Sequence, residues 1–119
     1  MLTKKSIAMI REASGYGIRL DVATLYRVTG DEVITTLRVM WSEGSPPAPH
    51  GLVDSTKDQM EVEQLTQNLL FACLQNIRLR RHARGEACLG PVPEYEQALD
   101  GTIQAVPGAK EANERGGFR

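Results

Sequence analysis

The 119-residue sequence predicts an α+β fold in which an N-terminal helix, a β-hairpin and a long amphipathic helix are followed by a mobile C-terminal tail, the whole completed by dimerisation. Two stretches carry that expectation. Between Ile18 and Trp41, β-branched and aromatic residues cluster on either side of a Thr29-Gly30-Asp31 break, the pattern of two strands joined by a tight turn. Between Asp58 and Arg84, apolar residues recur every three to four positions, the spacing of one helical face.

Taken in order, Thr3 can cap a first helix running to about Ala13, with Leu2 before the cap and Ile7 at the fourth helical position placed as a hydrophobic staple. Ile7, Ile10 and Ala13 make a narrow apolar stripe, and Ser14-Gly15-Tyr16-Gly17 ends the helix because glycine relieves the left-handed conformation that closes many helices. In the hairpin, Leu20, Val22, Tyr26 and Val28 share one parity and Val33, Leu37, Val39 and Trp41 share one parity of the second strand. Each strand can therefore turn one face to a core and the other to water. Tyr26 and Trp41 are expected as core residues. Ser42 to Val53 is rich in proline and glycine and reads as a loop, with His50 on its surface.

In the long helix Val62, Leu65, Leu69, Cys73 and Ile77 form one row, widened by Leu70 and Leu74. Thr56 and Gln59 are spaced as a capping box, four basic residues sit near the far end, and Gly85 is a reasonable stop. At ~1.5 Å per residue the helix would be about 40 Å long. That is more than a hairpin of ten-residue strands can cover at ~3.3 Å each. The excess face calls for a twofold partner, with Val62, Leu65, Leu69, Leu70, Cys73 and Ile77 as the dimer interface. From Gly90 the chain is proline-rich, with at most a short turn at 94–99. One domain over 1–100 and a flexible tail over 101–119 are expected.

A rival reading of 21–41 is a helix-turn-helix. The fragment Ala23-Thr24-Leu25-Tyr26-Arg27 resembles the recognition helices of winged-helix repressors, which would imply DNA binding. The match is five residues long and departs from the motif in the turn. Val33-Ile34-Thr35-Thr36 is a run of β-branched residues that favours a pleat over a helix.

Composition excludes several classes. A net charge of −1 with 24% charged residues provides no global field toward nucleic acid. The longest apolar run, at 69–74, is far short of the roughly 20 residues that span a bilayer, and Met1 opens a polar segment without a signal-peptide core. Two cysteines are too few for a disulfide framework. A cytoplasmic protein with reduced thiols is expected, with no membrane contact. Cys73, His82 and Cys88 lack the short paired spacings of a zinc site, and Gly15-Tyr16-Gly17 precedes a strand, unlike a phosphate loop. No metal, cofactor or catalytic residue is expected, and Glu61 and Glu63 read as a solvated face.

Function follows as a class. The expectation is a small non-catalytic interaction protein, an adaptor, regulator or inhibitor docking on a larger macromolecular assembly, of a size that suits a mobile-element or phage accessory protein. Arg78, Arg80, Arg81 and Arg84 form the candidate partner-binding patch, since guanidinium forks suit anionic and interface partners. The alternative is a nucleic-acid-binding transcriptional regulator using the helix-turn-helix at 21–41 or the arginine cluster at 78–84. No aromatic residue is interleaved with those arginines to stack on bases.

Overall fold

The computed structural model describes residues 2–116. They fall into two compact units, Met1–Leu74 and Gln75–Arg119, and one helix runs from the first into the second. The class is α+β, with the expected order of helix, hairpin and long helix.

The first unit begins with α1, Lys4–Gly15, capped by Thr3, whose side chain accepts from the Ser6 amide at 3.0 Å. The Thr3 hydroxyl also donates to Gln67 Oε1 at 2.8 Å, tying the start of α1 to the long helix. The helix closes in a Schellman arrangement: Ile18 N–H reaches Ala13 O, Gly17 N–H reaches Ser14 O, and Gly17 takes a φ of 77°. The buried stripe is centred on Ser6 and Ala13, whereas Ile7 is exposed. A small serine can approach its neighbours closely where the bulkier isoleucine was expected to face inward.

Strands β1 (Asp21–Thr29), β2 (Glu32–Glu43) and β3 (Ala48–Thr56) form one antiparallel sheet in the order β1-β2-β3. The hairpin pairs Val28 with Val33 and Asp21 with Met40 across a two-residue Gly30-Asp31 turn. Gly30 has φ 61° at the first central position, where type II′ turns place glycine. This rules out the helix-turn-helix over 21–41. β-Branched side chains packed across a ladder outweigh the short helical pattern. Along β2, Thr35, Leu37, Val39, Trp41 and Glu43 are buried, every second residue, so the sheet has one covered face.

The third strand corrects the loop expected over 42–53. Pro46 and Pro47 lie in the turn between β2 and β3, and only Pro49 enters the strand. β3 is an edge strand. There a proline whose missing N–H would point outward costs no ladder bond. His50 is correspondingly not a loop residue. It pairs with Trp41, and the two rings stack with centroids 5.6 Å apart.

The long helix starts later than expected. Asp58, not Thr56, caps it by accepting from Met60 N–H at 2.9 Å; a 3-10 turn covers Gln59–Glu61 and α2 spans Val62–Ala83. Gln59 does not close a capping box. Its amide donates to Val33 O at 3.2 Å and accepts from the Thr35 hydroxyl at 2.9 Å, clamping the helix start to β2. At the other end Gly85 N–H reaches His82 O and Glu86 N–H reaches Arg81 O, with Gly85 at φ 77°. The glycine stop is therefore a second Schellman closure.

In the second unit, strands β4 (Tyr95–Gln97) and β5 (Ile103–Ala105) pair antiparallel, and α3 covers Ala109–Glu114. The expected turn at 94–99 is thus a strand, and 101–116 of the expected tail carries β5 and α3; residues 117–119 of it lie outside the described residues. Cys88, Val92 and Ala109 form a small buried cluster with Val106 against it. Asn113 brackets Val92, accepting from its N–H at 2.9 Å and donating to its carbonyl at 2.8 Å. A few large side chains suffice here because polar side chains satisfy the backbone locally.

Candidate functional site

The row proposed from sequence as a dimer interface is not an open surface. Leu69, Leu70, Cys73 and Ile77 are buried within the single chain, and Val62 and Leu65 are half-buried. These side chains are thus taken up within one chain and are not left open for a second. On α2 it is Phe71 that stays exposed.

The arginine patch is likewise committed locally. Arg78 is buried, with Nη1 donating to Gln75 Oε1 and Pro91 O at 3.1 and 3.2 Å. Arg81 donates from Nε and Nη2 to Ala87 O at 3.0 and 2.8 Å and pairs with Glu86 at 3.0 Å. Arg84 forks onto both Glu86 oxygens at 3.1 and 3.3 Å. Arg80 is also engaged. These cations close the helix end, and their forks are turned to carbonyls and a carboxylate of the chain.

The hydrogen bond from Arg84, then the charges of Arg84 and Arg81, hold the Glu86 carboxyl below its ordinary value. A depressed carboxylate pKa contributes stability above the unfolded value that is lost as pH falls through the folded one. Acidification below the usual glutamate range should therefore loosen this end, and Glu86→Gln should reproduce the loss at neutral pH while flattening the acid response of the melting curve. Arg81→Ala should cost about 1–2 kcal/mol in urea unfolding; an unchanged midpoint would show the guanidinium to be dispensable.

Sequence reasoning missed the surface that is open. β1 forms one edge of the sheet. Its even residues share a face with the buried odd residues of β2, because Val22 pairs with Val39, Thr24 with Leu37 and Tyr26 with Thr35. Yet Tyr26 and Val28 are 67% and 71% exposed, and Leu25 on the other face is 49% exposed. Tyr26, expected in the core, is therefore surface. Trp41 is in the core as expected. Beside β1 lies a cleft of about 640 Å³ lined by Leu2, Val22, Thr24, Tyr26, Met60 and Glu63, among others. Met60 on its rim is 90% exposed.

The backbone of that edge follows from the turn. In a two-residue hairpin the flanking pair, here Thr29 and Glu32, exchanges main-chain hydrogen bonds, and such pairs alternate along the ladder. Odd residues of β1 accordingly bond to β2. Even residues, Val22 to Val28, point their N–H and C=O outward. The signal that could have found this edge is the composition of β1 itself: nine residues without proline, glycine or lysine, and so without several of the devices that blunt an edge.

The other polar cluster in this unit is Glu43, buried at the end of β2, with Trp41 Nε1 donating to Oε1 at 3.2 Å and His50 Nε2 at 3.8 Å from the same oxygen. It anchors the end of the sheet. Among the described residues no group of three His, Cys, Asp or Glu side chains is placed to hold a metal ion, and no helix is long and apolar enough to cross a membrane. No protein-family model, curated protein or solved structure matches the chain.

Proposed function

We propose that this is a non-catalytic cytoplasmic interaction protein, an adaptor, regulator or inhibitor, that docks by adding an extended segment of a partner chain to β1. One observation carries the reading: a long strand edge with outward main-chain groups and exposed Leu25, Tyr26 and Val28, set beside a cleft lined by both apolar and polar side chains. Strand addition uses those two features together. Main-chain hydrogen bonds supply affinity, and pockets beside alternate side chains supply selectivity. Arg78, Arg81 and Arg84 support this choice over nucleic-acid binding, because each already donates to a carbonyl or carboxylate within the chain.

The test is a substitution that blocks the edge and spares the sheet. Thr24→Pro removes an N–H that points away from β2, so the β1–β2 ladder keeps its bonds. Partners captured from the native host by the wild type and identified by mass spectrometry should be lost with Thr24→Pro, while the melting temperature shifts by only a few degrees. Equal capture by both proteins would overturn the reading, as would a partner that is itself nucleic acid.

A further inference from the structure

Resting on β1 as the docking edge, we infer that the segment added there is β1 of a second copy, so that two chains share one six-stranded sheet about a twofold axis at Thr24.

The two edges of the sheet differ. β3 carries Pro49, Gly51 and Asp54, residues that discourage strand addition. β1 carries none of these along its central positions. A twofold pairing of β1 with itself is antiparallel, and it must oppose even residues to even residues, since only those have outward main-chain groups. That leaves few registers.

The register centred on Thr24 is the one that matches every pair. On the covered face it sets Val22 against Tyr26 of the second copy, Thr24 against Thr24, and Leu20 against Val28. On the other face it sets Ala23 against Leu25 and Asp21 against Arg27. Aromatic against β-branched, threonine against threonine and opposite charge against opposite charge are the favoured cross-strand pairs, and twofold symmetry makes each unlike pair twice. Centring on Leu25 instead opposes Asp21 to Thr29 and Arg27 to Ala23, which leaves both charges unmatched. Centring on Ala23 opposes Arg19 to Arg27, like against like.

The chosen register also accounts for the exposed apolar side chains. Tyr26 would lie over Val22 of the other copy, at the mouth of the cleft that Val22 and Met60 line. Asp21 already contacts Arg19 at 3.3 Å, with both side chains well exposed, so the incoming Arg27 meets an accessible carboxylate. Within β1 (Asp21–Thr29) about six main-chain hydrogen bonds form, two each for Val22 with Tyr26, Thr24 with Thr24 and Tyr26 with Val22.

Size-exclusion chromatography with light scattering at tens of micromolar should return twice the chain mass, and Thr24→Pro should return one. Asp21→Arg and Arg27→Asp should each weaken the dimer about 5–10-fold, and the two together should restore it, which a purely structural role for either residue would not do. Single and double variants of equal affinity would overturn the register. A monomeric wild type that still loses its captured partner on Thr24→Pro would overturn the pairing of copies and leave docking at β1 standing. A dimer indifferent to Thr24→Pro and to the charge exchange would overturn β1 as the interface between copies.

Discussion

Trp41→Ala is expected to lower the unfolding free energy by about 3–5 kcal/mol, the range for emptying a large aromatic site in a core. Trp41 is buried on the central strand, stacked on His50 across the β2–β3 ladder, and its indole N–H donates to Glu43. Alanine would leave a cavity that the ladder cannot close, and the Glu43 carboxylate would lose a donor while still buried. Unfolding in urea followed by far-UV circular dichroism measures the loss. A cost under about 1 kcal/mol, the level of ordinary surface substitutions and small deletions, would mean that this end of the sheet is not packed as described. Trp41→Phe should recover most of the apolar contact and fail to recover the hydrogen bond.

The second large effect is at Leu70, which is fully buried on α2. Leu70→Ala should cost about 3–4 kcal/mol, within the span of buried leucine truncations, and lower the melting temperature on the order of 10 °C. The solution mass should not change. That combination separates the structure from the sequence expectation, in which Leu70 faced a second chain and its truncation would have shifted the mass. Leu25→Ala, on the exposed face of β1, should leave the stability of one chain nearly untouched.

Much of the fold is legible in the residues, and the failures have physical causes. The Thr3 cap, the paired strands on either side of Gly30 and the stop at Gly85 were all readable. Each is a local device whose signal lies within a few residues. β3 was not readable, because Pro49 within it and Pro46 and Pro47 just before it argue against a strand until it is known to be an edge. β4, β5 and α3 were hidden by short length and by a composition poor in large apolar groups. Their order comes from turn chemistry such as Asp100, whose carboxylate accepts from the Thr102 hydroxyl and amide at 2.7 and 3.0 Å, and from the Asn113 bracket on Val92. These are local side-chain bonds, mostly to backbone, that leave no periodic trace.

The candidate sites divide in the same way. Arg78, Arg80, Arg81 and Arg84 were conspicuous as a charge run, yet they are engaged within the chain, as basic residues at a helix end commonly are. The row from Val62 to Ile77 was conspicuous as an apolar face, yet it is largely core. The open surface was the strand whose alternation read as half-buried. Periodicity shows which residues share a face. It does not show how much of that face the rest of the chain covers.

Amide hydrogen exchange along β1 decides whether that strand is a working edge. Ala23, Leu25 and Arg27 bond to β2 by the hairpin register and should exchange slowly at every protein concentration. Val22, Thr24 and Tyr26 point outward and should exchange fast in dilute protein, becoming protected as concentration rises or as a partner strand is added. If those three amides stay fast across the whole concentration range and in the presence of every captured partner, β1 is not where this protein docks.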